Sequence, residues 1–207
     1  MDKMIFTMLN SMKNVQNKQS NNAHEIANVV TPGFKKSYSE QTQSLDVHIP
    51  GTFATRAMPV TNATNVVDMN PGALMVSGRA LDVYVNTSGA IAVQGPEGQE
   101  LYTRRGDLTI SADGQLMTGT GSLVLGDGGP ITVPGGSNIS ITNDGSVNII
   151  PQGANAEVTV GRIKLVDTKD TEMLIREDGL YQVREGALPA SADITLTTKA
   201  LEGSNVT

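Results

Sequence analysis

The residues able to do chemistry are few in this 207-residue chain, and their spacing does not assemble a site. The two histidines, His24 and His48, belong to no HExxH or comparable metal-ligand spacing. The chain has no cysteine, which excludes thiol nucleophiles, cysteine-bound metals and disulfides. Serine hydrolysis needs a base and an oxyanion site around an activated hydroxyl. No GxSxG elbow is present, and both histidines precede the glycine-rich part of the chain. Gly126-Asp127-Gly128-Gly129 has the composition of a phosphate cradle, yet no Lys-Ser or Lys-Thr follows it. No helical pattern opens behind it to add a dipole, so a hairpin turn is the favoured reading. Asn143-Asp144-Gly145 resembles a piece of a calcium loop without the alternating carboxylates or the closing Glu, and also reads as a turn. Acidic residues are plentiful enough for a paired-carboxylate hydrolase, but acidic β surfaces carry the same residues for solubility alone. Asn62, Asn86 and Asn138 each open an Asn-x-Ser/Thr triplet, a pattern too common to weigh without a secretory context. The expectation is a protein that is not an enzyme and has no cofactor or metal.

The elements point to assembly instead. The first 31 residues contain neither Gly nor Pro, and their apolar positions step by three and four through Ile5, Met8, Met12, Val15, Ile26 and Val29. That stepping is a coiled-coil seam, predicted on a helix from Asp2 to about Asn28 that Thr31-Pro32-Gly33 stops. Gln19 and Asn22 interrupt the seam as polar residues that set register. A lone helix cannot bury such a stripe, because helical stability in proteins comes mainly from packing the apolar face on a partner. Residues 35–73 lack strong periodicity and read as an extended connector. From about Leu74 to Thr198, short Val-, Ile-, Thr- and Leu-rich runs alternate with turns. Four of these turns carry Asp-Gly, at Asp113-Gly114, Asp127-Gly128, Asp144-Gly145 and Asp178-Gly179. The fold class expected is mainly β with an N-terminal α-helix, the β part being irregular and antiparallel, as in a sandwich or barrel.

Composition narrows the partners. The first 80 residues carry a net +2 and the remainder −8, so neither part has the basic footprint of a nucleic-acid binder. Aromatics are 3% with no Trp, which argues against base-stacking platforms. No apolar run approaches the roughly 18 residues that cross a bilayer, and the N-terminus lacks the core and cleavage site of a signal peptide. Export, if it occurs, must use a route that reads no cleaved signal.

Two groups of residues then carry a resemblance. Ile26-Ala27-Asn28 precedes Thr31-Pro32-Gly33-Phe34-Lys35 near the start, and Leu201-Glu202-Gly203-Ser204-Asn205-Val206 closes the chain. Between them lie Ser77-Gly78, Leu81-Asp82-Val83, Tyr102-Thr103-Arg104, Gly106, Leu108-Thr109, Asp113-Gly114-Gln115-Leu116 and Val124-Leu125-Gly126. In this order they resemble the bacterial flagellar rod and hook family, and most closely its basal-body rod members, over essentially the whole chain. The departures are His24-Glu25 where two Asn are usual, Ala80 where Pro is common, and Ala90-Ile91 in place of an aromatic pair. The resemblance implies a structural subunit that polymerises through terminal helices into the hollow axial shaft of the basal body. It implies export by the flagellar type III apparatus into the periplasm, and partnership with other rod subunits and copies of itself. It also implies a C-terminal amphipathic helix starting about where residues 199–207 end, to pair with the first. A β-rich adhesin or carbohydrate-binding module with a helical stalk is the alternative, and its mark would be an exposed aromatic cluster in the β body.

Overall fold

The computed structural model describes residues 2–38, 41–47, 56–62, 65–134, 136–151, 156–184 and 186–206, with the backbone alone at 2–7, 10, 38, 41–47, 56–62, 136 and 137. Helix α1 spans Asp2–Ala27, close to the span the sequence predicts. The chain then runs through β1 (Ser37–Tyr38), β2 (Gln41–Val47), β3 (Arg56–Asn62), β4 (Val66–Val67) and β5 (Leu74–Val76). Next come β6 (Val83–Val85), β7 (Gly89–Gln94), β8 (Glu100–Thr103), β9 (Leu108–Ile110) and β10 (Leu116–Thr118). They are followed by β11 (Leu125–Gly126), β12 (Gly129–Pro130), β13 (Gly136–Ile141), β14 (Ser146–Pro151) and β15 (Val158–Arg162). The last are β16 (Leu165–Asp167), β17 (Met173–Ile175), β18 (Tyr181–Val183), β19 (Leu196–Thr198) and β20 (Ala200–Glu202). Among the described residues the protein is mainly β with one helix, and every strand pairing is antiparallel.

Strands alternate their side chains across the sheet, and β7 uses both faces. It lies inside a seven-stranded sheet of order β1-β4-β17-β18-β8-β7-β16. Its Ile91 and Val93 enter one core with Val83, Leu108, Leu116 and Val124. Its Ala90 and Ala92 enter a second core with Val67, Met69, Tyr102, Val166, Met173 and Tyr181. Small residues at 90 and 92 leave room for the two tyrosines, which pair across β8 and β18. Both tyrosines are buried, so they offer no exposed aromatic platform. Residues 35–73 carry β1 to β4, and two of these, β1 and β4, form one edge of the large sheet.

The tight turns repeat one pattern. At 111–115, 142–146 and 176–180 the first residue's amide donates to the fifth residue's carbonyl, and the fourth residue's amide donates to the first residue's carbonyl. The fourth residue is Gly114, Gly145 or Gly179, each with φ between 78° and 89°. This is a type I turn closed by a left-handed glycine. Two more turns of the same pattern lie at 95–99 and 118–122, closed by Gly98 and Gly121. Asp127-Gly128 differs: it links β11 to β12, and the left-handed residue is Gly129, at 118°. The apolar-rich run Val158–Val166 is divided between two strands. Ile163 leaves β15 to bridge Gly126, and the chain resumes as β16 on β7.

Candidate functional site

The two signature segments that the sequence places at opposite ends meet in one buried cluster. Past α1, the side-chain amide of Asn28 donates to the His24 carbonyl at 2.9 Å, and the Thr31 hydroxyl donates to Asn28 Oδ1 at 3.1 Å. The His24 ring meets the edge of Phe34 with centroids 5.6 Å apart. Gly33 is left-handed, at φ 69°, and a Cβ there would stand 2.6 Å from the Arg104 carbonyl oxygen. Only glycine fits, and the bend it permits turns Lys35 into the protein.

Lys35, Arg104 and Glu202 are each fully buried. Lys35 Nζ lies 2.5 Å from Glu202 Oε1 and donates to the Asn70 carbonyl at 2.6 Å. Arg104 Nε donates to Glu202 Oε2 at 2.7 Å, and Nη2 donates to Oε1 at 3.2 Å. The rest of the guanidinium is cradled by carbonyls of the β6–β7 link: Nη2 donates to Val85 at 2.8 Å, and Nη1 donates to Thr87 at 2.8 Å and Gly89 at 2.6 Å. Thr87 adopts a left-handed φ of 55° in that link. Glu202 also accepts the Gly72 amide at 2.6 Å, and its own carbonyl accepts the Gly33 amide at 2.8 Å. Asn205 completes the contact. Its Oδ1 accepts the Lys36 amide at 2.7 Å, and its Nδ2 donates to the Asp68 carbonyl at 3.0 Å.

Two cations share one carboxylate here. Burial, and then the neighbouring Arg104 charge, lower the Lys35 ammonium to about 8, against the pull of Glu202. Burial likewise raises the Tyr181 phenol, whose hydroxyl donates to the Gly33 carbonyl at 3.3 Å. A satisfied ionic cluster of this kind rigidifies the junction it joins. Among the described residues no three His, Asp or Glu side chains are grouped to hold a metal, and no helix is long and apolar enough to cross a membrane.

Of the signature residues, Gly33, Phe34 and Lys35 thus bond to Glu202 and Asn205, with Leu201, Gly203, Ser204 and Val206 in the same closing segment, while Asn28 and Thr31 bond to each other at the end of the helix. Arg104, the hub, enters the sequence reading only within the Tyr102-Thr103-Arg104 motif and is not singled out for a site; its partner Glu202 is 98 residues away, so no local spacing reveals their pairing. The seam residues lie outside the cluster. At the 100° turn of an α-helix, Met8, Met12, Val15, Gln19, Asn22 and Ile26 fall within about 80° of one another. All six are exposed, Met12 at 69% and Val15 at 65%, as is Val29 just past the helix. Ile5 is in α1, but its side chain is outside the described ones.

Residues 84–149 match the family model described as the flagellar hook protein FlgE/F/G D1 domain. The whole chain is 38% identical to the flagellar basal-body rod protein FlgF of Salmonella typhimurium and covers 84% of it. It is 34% identical to FlgF of Escherichia coli K12, again over the whole chain and 84% of that protein. The basal-body rod protein FlgG of Buchnera aphidicola from Acyrthosiphon pisum is 30% identical over 89% of this chain and 74% of its own length. With both signature segments joined in the cluster and this identity along the full chain, the protein belongs to the flagellar basal-body rod protein family, in its FlgF branch.

Proposed function

We propose that the chain is a structural, non-enzymatic subunit of the flagellar basal-body rod, built into the shaft through the apolar face of α1. The observation that carries this reading is the one-sided row of Met8, Met12, Val15 and Ile26, exposed along a helix whose root is locked to the β body. Burying each of these side chains on a neighbouring helix contributes roughly 1.5–3 kcal/mol, so the row supplies a large share of the docking energy. Gln19 and Asn22, on the same face, set the register of that contact. Head-to-tail contacts that do not close into a ring extend into an open helical assembly. Helices bundled on the axis then line a channel, and the β bodies form the sleeve. Its partners are other rod subunits and further copies of itself. Delivery to the periplasmic rod runs through the flagellar type III apparatus without a cleaved signal peptide. Complementation tests the reading: in a bacterium lacking its own FlgF, the gene's full product should restore swimming and be found in purified basal bodies. Motility restored without the protein in the basal body would sink it.

A further inference from the structure

The root of α1 is held mainly by the last segment of the chain. The Gly33 amide donates to the Glu202 carbonyl, the Lys36 amide donates to Asn205 Oδ1, the Asn205 amide donates to the Phe34 carbonyl at 3.4 Å, and the Lys35 ammonium sits on the Glu202 carboxylate. Among the described residues, further ties to 33–36 include Tyr181 to Gly33, Asp68 to Lys36, Lys35 to Asn70, and a loose ion pair of Lys36 with Glu25 of α1 at 4.0 Å.

We infer that Lys35, Arg104 and Glu202 form an ionic latch that makes docking of the α1 root onto the β body conditional on arrival of the chain's closing segment. With the Glu202 carboxylate absent, closure would press two cations together in a dry interior, which is strongly unfavourable. The two cations are not equivalent. Arg104 keeps its carbonyl cradle at Val85, Thr87 and Gly89, all inside the β body, and stays in place. Lys35 sits on the segment that leads to the helix, and carrying that segment into water rehydrates its ammonium. The open state therefore has a formed body with α1 swung free. Lys35 and Glu202 are 167 residues apart, and a chain appears from its N-terminus, so the seat stays open until the segment carrying Glu202 has been made. The latch thus keeps the exposed apolar face of α1 without a fixed direction until the β body is complete. The inference rests on the geometry of the cluster and stands whether or not the rod reading does.

Amide hydrogen exchange on the full chain, read by peptide, tests it. Glu202→Gln keeps the side chain's shape and removes its charge. It should speed exchange in residues 29–37 by about 100-fold and leave residues 89–103 unchanged. Asn205→Ala, which removes only polar ties, should speed the same segment by about 10-fold. In a Lys35→Met background the effect of Glu202→Gln should shrink below about 10-fold, because the like-charge conflict is gone. Equal acceleration of residues 89–103 would overturn the inference by making the triad part of one global core. So would an unchanged rate at 29–37 in both single variants. A Glu202→Gln chain that fails to fold also overturns it, since the body is required to stand without the latch.

Discussion

Arg104 uses all five of its N–H groups inside the protein, two on the Glu202 carboxylate and three on backbone carbonyls. That satisfaction is what allows a guanidinium at full burial. Lys35 is the less settled partner, and its titration is readable in stability. Its ordinary value of 10.5 falls to about 8 in the folded chain. Below that window both states carry the proton and the cost of burying the charge is present in full. Between about 8 and 10.5 the unfolded chain binds more protons, so stability rises with pH. The tyrosines act in the opposite sense. Burial holds Tyr102 up at about 12, so above its ordinary value of 10.0 the unfolded chain ionises first and stability falls. Urea midpoints measured across alkaline pH should therefore climb from about pH 8 and turn down near pH 10. Lys35→Met should remove the climb and keep the fall, at a cost under about 2 kcal/mol at neutral pH. A climb that survives Lys35→Met would assign it to another group.

At the level of elements, one turn repeated five times connects much of the β body, and it predicts where glycine is needed. Gly121 closes the turn at 118–122 with φ 90° and has open space where a Cβ would go, so Gly121→Ala tests backbone strain alone. It should cost about 1–2 kcal/mol, while Gly128→Ala, with equal space and no left-handed φ, should be close to neutral. Thermal unfolding of the two variants checks this, and equal losses would show that the turn pattern is not what demands glycine. Three of the five turns were legible because Asp precedes Gly at Asp113, Asp144 and Asp178. The turns at Gly98 and Gly121 were not legible, because Glu97 and Thr120 lack that side-chain signal and only the hydrogen bonds reveal them. Helix α1 was readable from its spacing, which is a local property. The break at Ile163 was not, since it depends on Gly126 lying opposite, and that contact comes from a distant segment. The same limit hid Arg104: the sequence shows each cluster member singly, and only the fold shows that they share one carboxylate.

Across the whole molecule the seam and the body separate cleanly, because the residues that would join subunits contribute little to folding. Met12 and Val15 are 69% and 65% exposed, so an Asp at either position remains in water in the free chain. Their replacement should change the unfolding midpoint of the β body within the range of ordinary surface substitutions, about 0.5 kcal/mol. In an assembled helix bundle the same two carboxylates would enter a dry contact, where an unpaired charge costs several kcal/mol. That difference exceeds what a subunit contact of a few side chains supplies, so Met12→Asp/Val15→Asp should abolish incorporation and swimming while the protein remains folded. Two measurements on one variant decide it: the melting curve of the purified chain, and motility together with basal-body content in the FlgF-deficient strain. Lost motility with an unchanged melting curve is the expected result. Normal motility would require withdrawing the assembly role of Ile5, Met8, Met12, Val15, Ile26 and Val29. A collapsed melting curve would mean that this face of α1 packs on its own β body, contrary to the exposure of Met12 and Val15.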